Sequence, residues 1–504
     1  MTRLHNIFTA FHFAEPGHAP GAAMRMAVSL LALIAALLIP ASPVMNSSTV
    51  SAQDGEWDVA SSDVLTVLMQ PNDRLSASSF LDAYGRFMNT AIEELSLLID
   101  IRGPATPLAI HVFADTGIYE SAVAATGRNE LDDVMAVADP EYAGIIVPLT
   151  QFIALTPLEA ENQLRHAIAH IIADQATDGM IPRGLDEGFA RYVERPNQPA
   201  LARLASIVQG AYQEGKLASW SNMNRDQPLD DDSLIEAQSY AVVGFLLKNH
   251  GLAPFRTFLE GLKTASSWRD AIKTAYSPGT SDSIERQWKD EIPLWAQGDW
   301  KWNLVSGFDL EPARDLLTRG NFDGAASALL VSEQLLSEVH DPDRLAEVTQ
   351  LKDESRIGGL AEAKMAEAQQ ALENFAYDRA AAAVQQAEEQ YSHLPIEIRP
   401  TELIAEYQLL SSAGLEATES LEVARIRSGA WGDYPEARDA ALSAGANFAV
   451  LGDDENLQTS TTLIDQMDQQ QLRLVLLLGA LAFLTAAWLG LWLWYREPSR
   501  LRWR

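Results

Sequence analysis

The chain of 504 residues contains no cysteine and few basic residues. The first absence excludes some kinds of metal site, and the second excludes some kinds of binding partner. Without cysteine it forms neither disulfides nor thiolate metal sites, which leaves histidine and carboxylate side chains as ligands for a zinc ion. It has 37 lysines and arginines against 69 aspartates and glutamates, a net charge of -32. Such an acidic chain is not expected to bind nucleic acid through phosphate contacts or an anionic membrane surface through a basic patch.

Long hydrophobic runs are also scarce, and the two that occur lie near the ends of the chain. The first, at 27–39, follows a basic residue and precedes a cleavage pattern of small residues, as in secretory signal peptides. We therefore predict a signal peptide within residues 1–52. We also predict that translation starts at Met24 or Met26 rather than at Met1.

The second run, Leu474 to Tyr495, has 22 residues without a charge and is long enough to cross a bilayer. Its C-terminal end carries aromatic residues suited to the membrane interface, and a basic tail follows at 496–504. Because positive charge favours the cytoplasmic side, we predict a single-pass protein of the cell membrane with a cytoplasmic C-terminus. The main domains would then be extracytoplasmic.

A histidine pair lies on a predicted helix in the first half of the chain. Thr156 and Glu159 form a capping box with proline between them, and the apolar spacing that follows predicts a helix from Leu158 to about Gln175. His166 and His170 are four residues apart and therefore share one face, a spacing that suits two zinc ligands. Two interpretations stay open, a metal site and a pair of buried histidines satisfied as polar groups.

After a short loop, residues 182–192 read PRGLDEGFARY. Together with the histidine pair, this segment resembles the gluzincin zinc metallopeptidases, most closely the peptidase MA-like group, whose pattern is HExxH followed by a phrase like PRWLxEGxAxY. The resemblance implies that His166 and His170 are the first two zinc ligands and Glu187 the third. It also implies Zn²⁺ as the cofactor.

One position departs from the family pattern. The residue after the first histidine, a glutamate that acts as general base in the family, is Ala167 here. Loss of a positioned general base typically lowers the rate by about 10²- to 10⁴-fold. Tyr240, at the start of an apolar helix, is a candidate for the oxyanion side of the cleft, and a packed core role is its alternative. Asp174, one turn beyond His170, is a candidate partner for an imidazole N–H.

Residues 53–300 are predicted to form an α+β, gluzincin-like catalytic domain with a small sheet and a helical subdomain. Short β-branched runs at 108–113 and 145–149 predict strands, and 63–70 is interpreted as a strand or short helix. A long amphipathic helix is predicted at 78–101. The place of the sheet before the two-histidine helix is supplied by the resemblance.

Residues 306–470 are rich in alanine, leucine and glutamate and show no strand signals, which predicts an all-α domain. An aromatic residue three positions before an alanine recurs at Phe322, Tyr377 and Tyr434. This pattern resembles tetratricopeptide-like (TPR-like) repeats, although its period is longer than usual. A plain helical bundle that acts as a spacer is the alternative.

Two functions follow from these expectations. The first is a membrane-anchored, extracytoplasmic peptidase MA-like protein that binds zinc, is catalytically impaired and engages a protein or peptide partner. The second is an active zinc metallopeptidase that hydrolyses peptide bonds with an atypical base. Ala167 favours the first, and both share the same fold.

Overall fold

A computed structural model describes residues 57–104, 106–126, 135–139, 144–225 and 232–496. The predicted signal peptide and all but the first residue of the basic tail lie outside these ranges. The described residues form two compact units. The first contains the described residues up to Asp315 together with Gly324–Lys352, and the second contains Leu316–Asp323 and the described residues from Asp353 onward.

The first unit contains a mixed sheet of five strands. The strands are β1 (Asp58–Ser61), β2 (Leu65–Met69), β3 (Leu108–Phe113), β4 (Val137–Asp139) and β5 (Gly144–Pro148). Their order is β1-β2-β3-β5-β4, with β2, β3 and β5 parallel and both edge strands antiparallel to their neighbours. The two strands expected at 108–113 and 145–149 are β3 and β5, and the segment at 63–70 contains β2.

The helices of this unit cover the sheet and extend beyond it. Up to residue 295 they are α1 (Ala77–Ile99), α2 (Thr116–Thr126), α3 (Leu149–Phe152), α4 (Pro157–Thr177), α5 (Arg183–Tyr192), α6 (Gln198–Glu214), α7 (Trp220–Met223), α8 (Asp232–His250), α9 (Leu252–Leu262), α10 (Trp268–Ala275) and α11 (Ser281–Trp295). Helix α2 packs on Phe113, Val137 and Ile146 of the sheet. Helix α4 contacts both β4 and β5 and also packs against α1, so that it lies in the core of the unit.

Helix α4 begins as its sequence predicts. The Thr156 side chain accepts a hydrogen bond from the Glu159 backbone N–H, and the Glu159 carboxylate accepts one from the Thr156 backbone N–H. This reciprocal capping satisfies two N–H groups that the first turn of a helix leaves unpaired. The helix ends at Asp178, which has a left-handed backbone conformation with φ of 53°. Most of the residues between these ends are buried, including the stretch from Leu164 to Ala173.

Helix α5 is held close to its neighbours by glycine. A Cβ atom on Gly188 would lie 2.4 Å from the Ser239 backbone oxygen of α8, and one on Gly184 would lie 2.8 Å from the Met223 backbone oxygen of α7. Atoms do not approach so closely, and only glycine allows this packing. The two contacts set the position of α5 and hence the direction of the side chains between them.

The rest of the described chain is helical. The helices are α12 (Glu311–Thr318), α13 (Phe322–Glu338), α14 (Pro342–Glu373), α15 (Tyr377–Tyr391), α16 (Thr401–Arg427), α17 (Tyr434–Leu451) and α18 (Asp454–Arg496). The three aromatic residues of the sequence pattern each begin a helix, α13, α15 and α17. The Phe322 ring lies 2.1 Å from where a Cβ on Gly358 would stand, and the Tyr377 ring lies equally close to that of Gly414. The assignment of these helices to a TPR-like repeat stays a prediction.

Helix α18 contains the apolar run at the C-terminal end of the chain. It is long and apolar enough to cross a membrane, and no residue of its most apolar window is buried by the protein. The exposed apolar side chains include Leu477, Phe483 and Trp494. The helix therefore fits a single-pass membrane protein.

Candidate metal centre

Three side chains from α4 and α5 converge on one point of the first unit. His166 and His170 lie one turn apart on α4, and Glu187 lies on α5. The two Nε2 atoms are 3.1 Å apart, and the Glu187 Oε2 atom lies 3.7 Å from His166 Nε2 and 3.8 Å from His170 Nε2. The structure thus brings together the three residues that the resemblance assigns as zinc ligands.

The spacing of these atoms suits one zinc ion. With bonds of about 2.0–2.2 Å, two ligand atoms of a tetrahedral zinc ion lie roughly 3.3–3.5 Å apart. The measured separations of 3.1, 3.7 and 3.8 Å lie on both sides of that value. Small rotations of the three side chains would place all three atoms at bonding distance from a single ion.

The carboxylate of Glu187 distinguishes the two interpretations of the histidine pair. The 3.1 Å between the imidazoles also suits a hydrogen bond, which would satisfy both nitrogens without a metal. The Glu187 Oε2 atom, however, is buried and accepts no hydrogen bond from any residue that the structure describes. Burying a carboxylate oxygen without a hydrogen bond is costly, and a metal ion bonded to that oxygen would remove the cost. The donor set therefore fits zinc better than it fits a plain hydrogen-bonded pair.

Two further carboxylates hold the imidazole rings from the other side. The His166 Nδ1 atom lies 2.9 Å from Glu194 Oε1, and the His170 Nδ1 atom lies 2.9 Å from Asp186 Oδ2. Such contacts orient a histidine ligand and direct its Nε2 atom toward a metal. Glu194 and Asp186 are thus partners of the imidazole Nδ1 atoms, and the candidate role of Asp174 stays a prediction.

Glu194 is itself held by a half-buried arginine. Arg191 Nη1 donates to both Glu194 oxygens, at 2.9 and 3.0 Å, and Arg191 Nη2 pairs with Glu236 of α8. Burial raises the pKa of the Glu194 carboxyl, but the charges of Arg191 and His166 outweigh burial and hold that pKa below its usual value. Glu194 is therefore ionised at neutral pH. Its charge favours a proton or a metal ion on the other ring nitrogen of His166, Nε2.

The same carboxylates control the protonation of His166. Burial lowers the pKa of this imidazole, whereas the carboxylates of Glu187 and Glu194 outweigh burial and raise the pKa to about 9. At 3.7 Å the Glu187 oxygen is too distant for a hydrogen bond, and its effect is charge attraction. In the metal-free protein His166 is consequently positive at neutral pH. The two carboxylates thus favour either a proton or a metal cation at His166.

The position of the missing general base is fully enclosed. Ala167 follows His166 on α4 and has no exposed surface, so that a methyl group stands where the family carries a carboxylate. Tyr240 is buried too, and its hydroxyl donates to the Trp300 carbonyl oxygen at 3.2 Å while its ring packs on Tyr192. Burial, with a smaller contribution from nearby carboxylate charge, raises the Tyr240 pKa above its usual value. These contacts are those of a packed core tyrosine, and its oxyanion role stays a prediction.

Sequence reasoning missed Asp186, Glu194 and Arg191. Asp186 directly precedes the third ligand, Arg191 lies one turn after it on α5, and Glu194 lies just beyond the end of that helix. An acidic residue on each side of a carboxylate ligand was the available signal. It did not indicate which imidazole each carboxylate would contact.

Two histidines one turn apart on one helix and a carboxylate from the next helix form a group that could hold a metal ion, and zinc peptidases use the same set of ligands. Residues 135–293 match the family model of the Peptidase MA superfamily, which confirms the peptidase MA-like resemblance for this part of the chain. No curated protein and no solved structure matches the chain.

Proposed function

We propose that this protein is a membrane-anchored, extracytoplasmic peptidase MA-like protein that binds Zn²⁺ but is impaired in peptide hydrolysis. The observation that carries the proposal is a complete set of ligands, His166, His170 and Glu187, next to an alanine at the base position. The ligands support binding of the ion, and the alanine argues against efficient turnover.

The impairment follows from what the neighbouring side chains can accept. A bound zinc ion would supply Lewis acidity and an activated water, but peptide hydrolysis also needs a group that takes up a proton and returns it to the leaving amine. The methyl group of Ala167 cannot do so. The carboxylates of Glu194 and Asp186 face the Nδ1 atoms of the histidines, on the side of each ring away from the Nε2 atoms that would hold the metal.

A domain that binds its metal but turns over slowly can still bind chains of the kind that peptidases recognise. We therefore expect a protein or peptide ligand as the partner of the first unit. The apolar part of α18 supports anchoring in the cell membrane. The basic tail that follows it supports a cytoplasmic C-terminus.

Zinc content tests the ligand assignment. The full-length protein, purified in detergent and loaded with zinc, should contain about one zinc per chain by atomic emission, whereas His166→Ala should contain none. His393→Ala is the matched control, since His393 is exposed and lies in the second unit. A His166→Ala variant that keeps the zinc content of His393→Ala would refute the assignment.

Restoring the base tests the impairment. Ala167→Glu should raise peptide cleavage by about 10²- to 10⁴-fold over the unmodified protein. Ala167→Gln should not, because a glutamine side chain has nearly the size of glutamate but does not act as a base. Cleavage by the unmodified protein at the rate of Ala167→Glu would instead support the active metallopeptidase with an atypical base.

A further inference from the structure

Helices α16, α17 and α18 of the second unit pack side by side, and α18 continues from this bundle into the apolar run near the C-terminus. Helices α17 and α18 are antiparallel and are joined by the short turn at 452–453. Arg438 Nε donates to Asp468 Oδ1 at 3.0 Å, and the Tyr434 hydroxyl donates to the Gln470 side chain. The start of α17 therefore lies beside Gln470 of α18.

This end of the bundle lies close to the predicted transmembrane segment. Leu474, the first residue of the apolar run, follows Gln470 by one turn of α18, a rise of about 6 Å. The headgroup region on each face of a bilayer is about 5–8 Å thick. If the apolar run crosses the bilayer, the turn at 428–433, which joins α16 to Tyr434 of α17, lies at the level of the headgroups.

Two large apolar side chains are exposed at this end of the bundle. Ile426, in the last turn of α16, is 70% exposed, and Trp431, in a short 3-10 helix before α17, is 57% exposed. Tryptophan is enriched at the membrane interface, where its apolar ring lies among the headgroups and its N–H stays hydrated. The two side chains are therefore of a kind that suits the surface of a bilayer.

The position of Trp431, more than its exposure, carries the inference. Single exposed apolar residues are common on protein surfaces. Ile396, for example, is 69% exposed, but it lies before the other end of α16. The 27 residues of α16 place about 40 Å between its two ends. Trp431 and Ile426 instead lie where α18 leaves the bundle for the apolar run.

Charge neither drives nor opposes contact with lipid here. Residues 425–436 contain two arginines and two acidic residues, so that their net charge is zero. Arg427 pairs with Glu436, and Arg425 lies 3.6 Å from Glu422. The attraction to a bilayer would therefore be apolar, which agrees with the expectation that so acidic a chain does not bind a membrane surface through a basic patch.

We propose that the turn between α16 and α17 is a second membrane contact, in which Trp431 and Ile426 lie among the lipid headgroups on the face of the bilayer that carries the second unit. This contact would limit tilting of the bundle about the end of α18. The proposal rests on the membrane anchoring given above as part of the proposed function, and it is independent of the metal centre.

Spin labels on the full-length protein test the proposal, because a chain without cysteine can be labelled at a single introduced thiol. Gly432→Cys is the reporter, since a Cβ there meets no atom within 4 Å and Trp431 is kept. Glu397→Cys, exposed before the other end of α16, reports on water, and Leu481→Cys, within the apolar run, reports on the span. In phosphatidylcholine nanodiscs, power saturation compares collisions of each label with oxygen, which concentrates in lipid, and with a water-soluble nickel chelate.

The ratio of oxygen to nickel-chelate collisions should be several-fold higher at position 432 than at position 397. Trp431→Ser, added to Gly432→Cys, should lower the ratio toward the value at 397, whereas the matched control Ile396→Ser should leave it unchanged. A ratio at 432 that equals the ratio at 397, or that Trp431→Ser does not change, would overturn the proposal. With a high ratio at 481 that result would leave the membrane anchor intact, and a low ratio at 481 would refute the anchor as well.

Discussion

The close packing of α5 on α8 makes a strong prediction about a single methyl group. In Gly188→Ala the added Cβ would lie 2.4 Å from the Ser239 backbone oxygen and 2.9 Å from a methyl group of Val243. Because the first of these atoms belongs to the backbone, no side-chain rotation relieves the contact. The two helices have to move apart.

The size of the effect can be estimated from two opposing contributions. Forcing an extra carbon into a well-packed core costs about 1–3 kcal/mol, and a backbone clash belongs at the upper end of that range. Alanine gains about 1 kcal/mol over glycine in a helix. The net loss is therefore about 2 kcal/mol, which lowers the melting temperature of a domain of this size by about 4–8 °C. Zinc affinity should fall as well, because Glu187 directly precedes the displaced residue.

Gly210→Ala is the matched control. Gly210 lies inside α6, and a Cβ there would meet no atom within 4 Å, so the same substitution should raise stability by up to about 1 kcal/mol. Thermal unfolding and zinc titration of the two variants and the unmodified protein give the comparison. If Gly188→Ala unfolds at or above the temperature of Gly210→Ala and keeps full zinc affinity, then α5 is not positioned by this contact.

Three further predictions concern the second unit and the metal centre. Gly414→Ala should lower the melting temperature, because its Cβ would enter the Tyr377 ring, whereas Gly359→Ala, with open space around it, should raise it slightly. Glu194→Gln should weaken zinc binding by about 10- to 100-fold, since the charge that holds the His166 Nδ1 atom is lost; an unchanged dissociation constant would contradict this. Zinc must displace the proton of His166, because the pKa of this imidazole is raised to about 9. Zinc affinity should therefore rise about tenfold per pH unit between roughly pH 6 and 8. A pH-independent affinity would show that this proton is absent.

Local sequence patterns predicted the helices and strands that are long enough to show a clear periodicity. The capping box of Thr156 and Glu159 and the apolar spacing after it located α4, and the six-residue β3 was evident from its β-branched residues. Strands β1 and β4 have four and three residues, too few to show an alternating pattern. Helix α2 was missed as well, because none of its residues is fully buried and its apolar face is weak.

The candidate site was predictable to the extent that its geometry is local. The one-turn spacing of His166 and His170 follows from helical periodicity alone. The third ligand required the family resemblance, because Glu187 reaches the histidines only through the fold. The contact of Glu194 with His166 joins residues 28 positions apart, and no local rule connects them.

The enclosure of the ligands affects how a metal ion would enter and leave. The side chains of His166, His170 and Glu187 are 3%, 0% and 8% exposed, so solvent and chelators scarcely touch them in the folded protein. Exchange of the ion would then be limited by transient opening of α5 away from α4. Zinc present during folding would be trapped, and a brief chelator treatment of the folded protein would leave most of it in place.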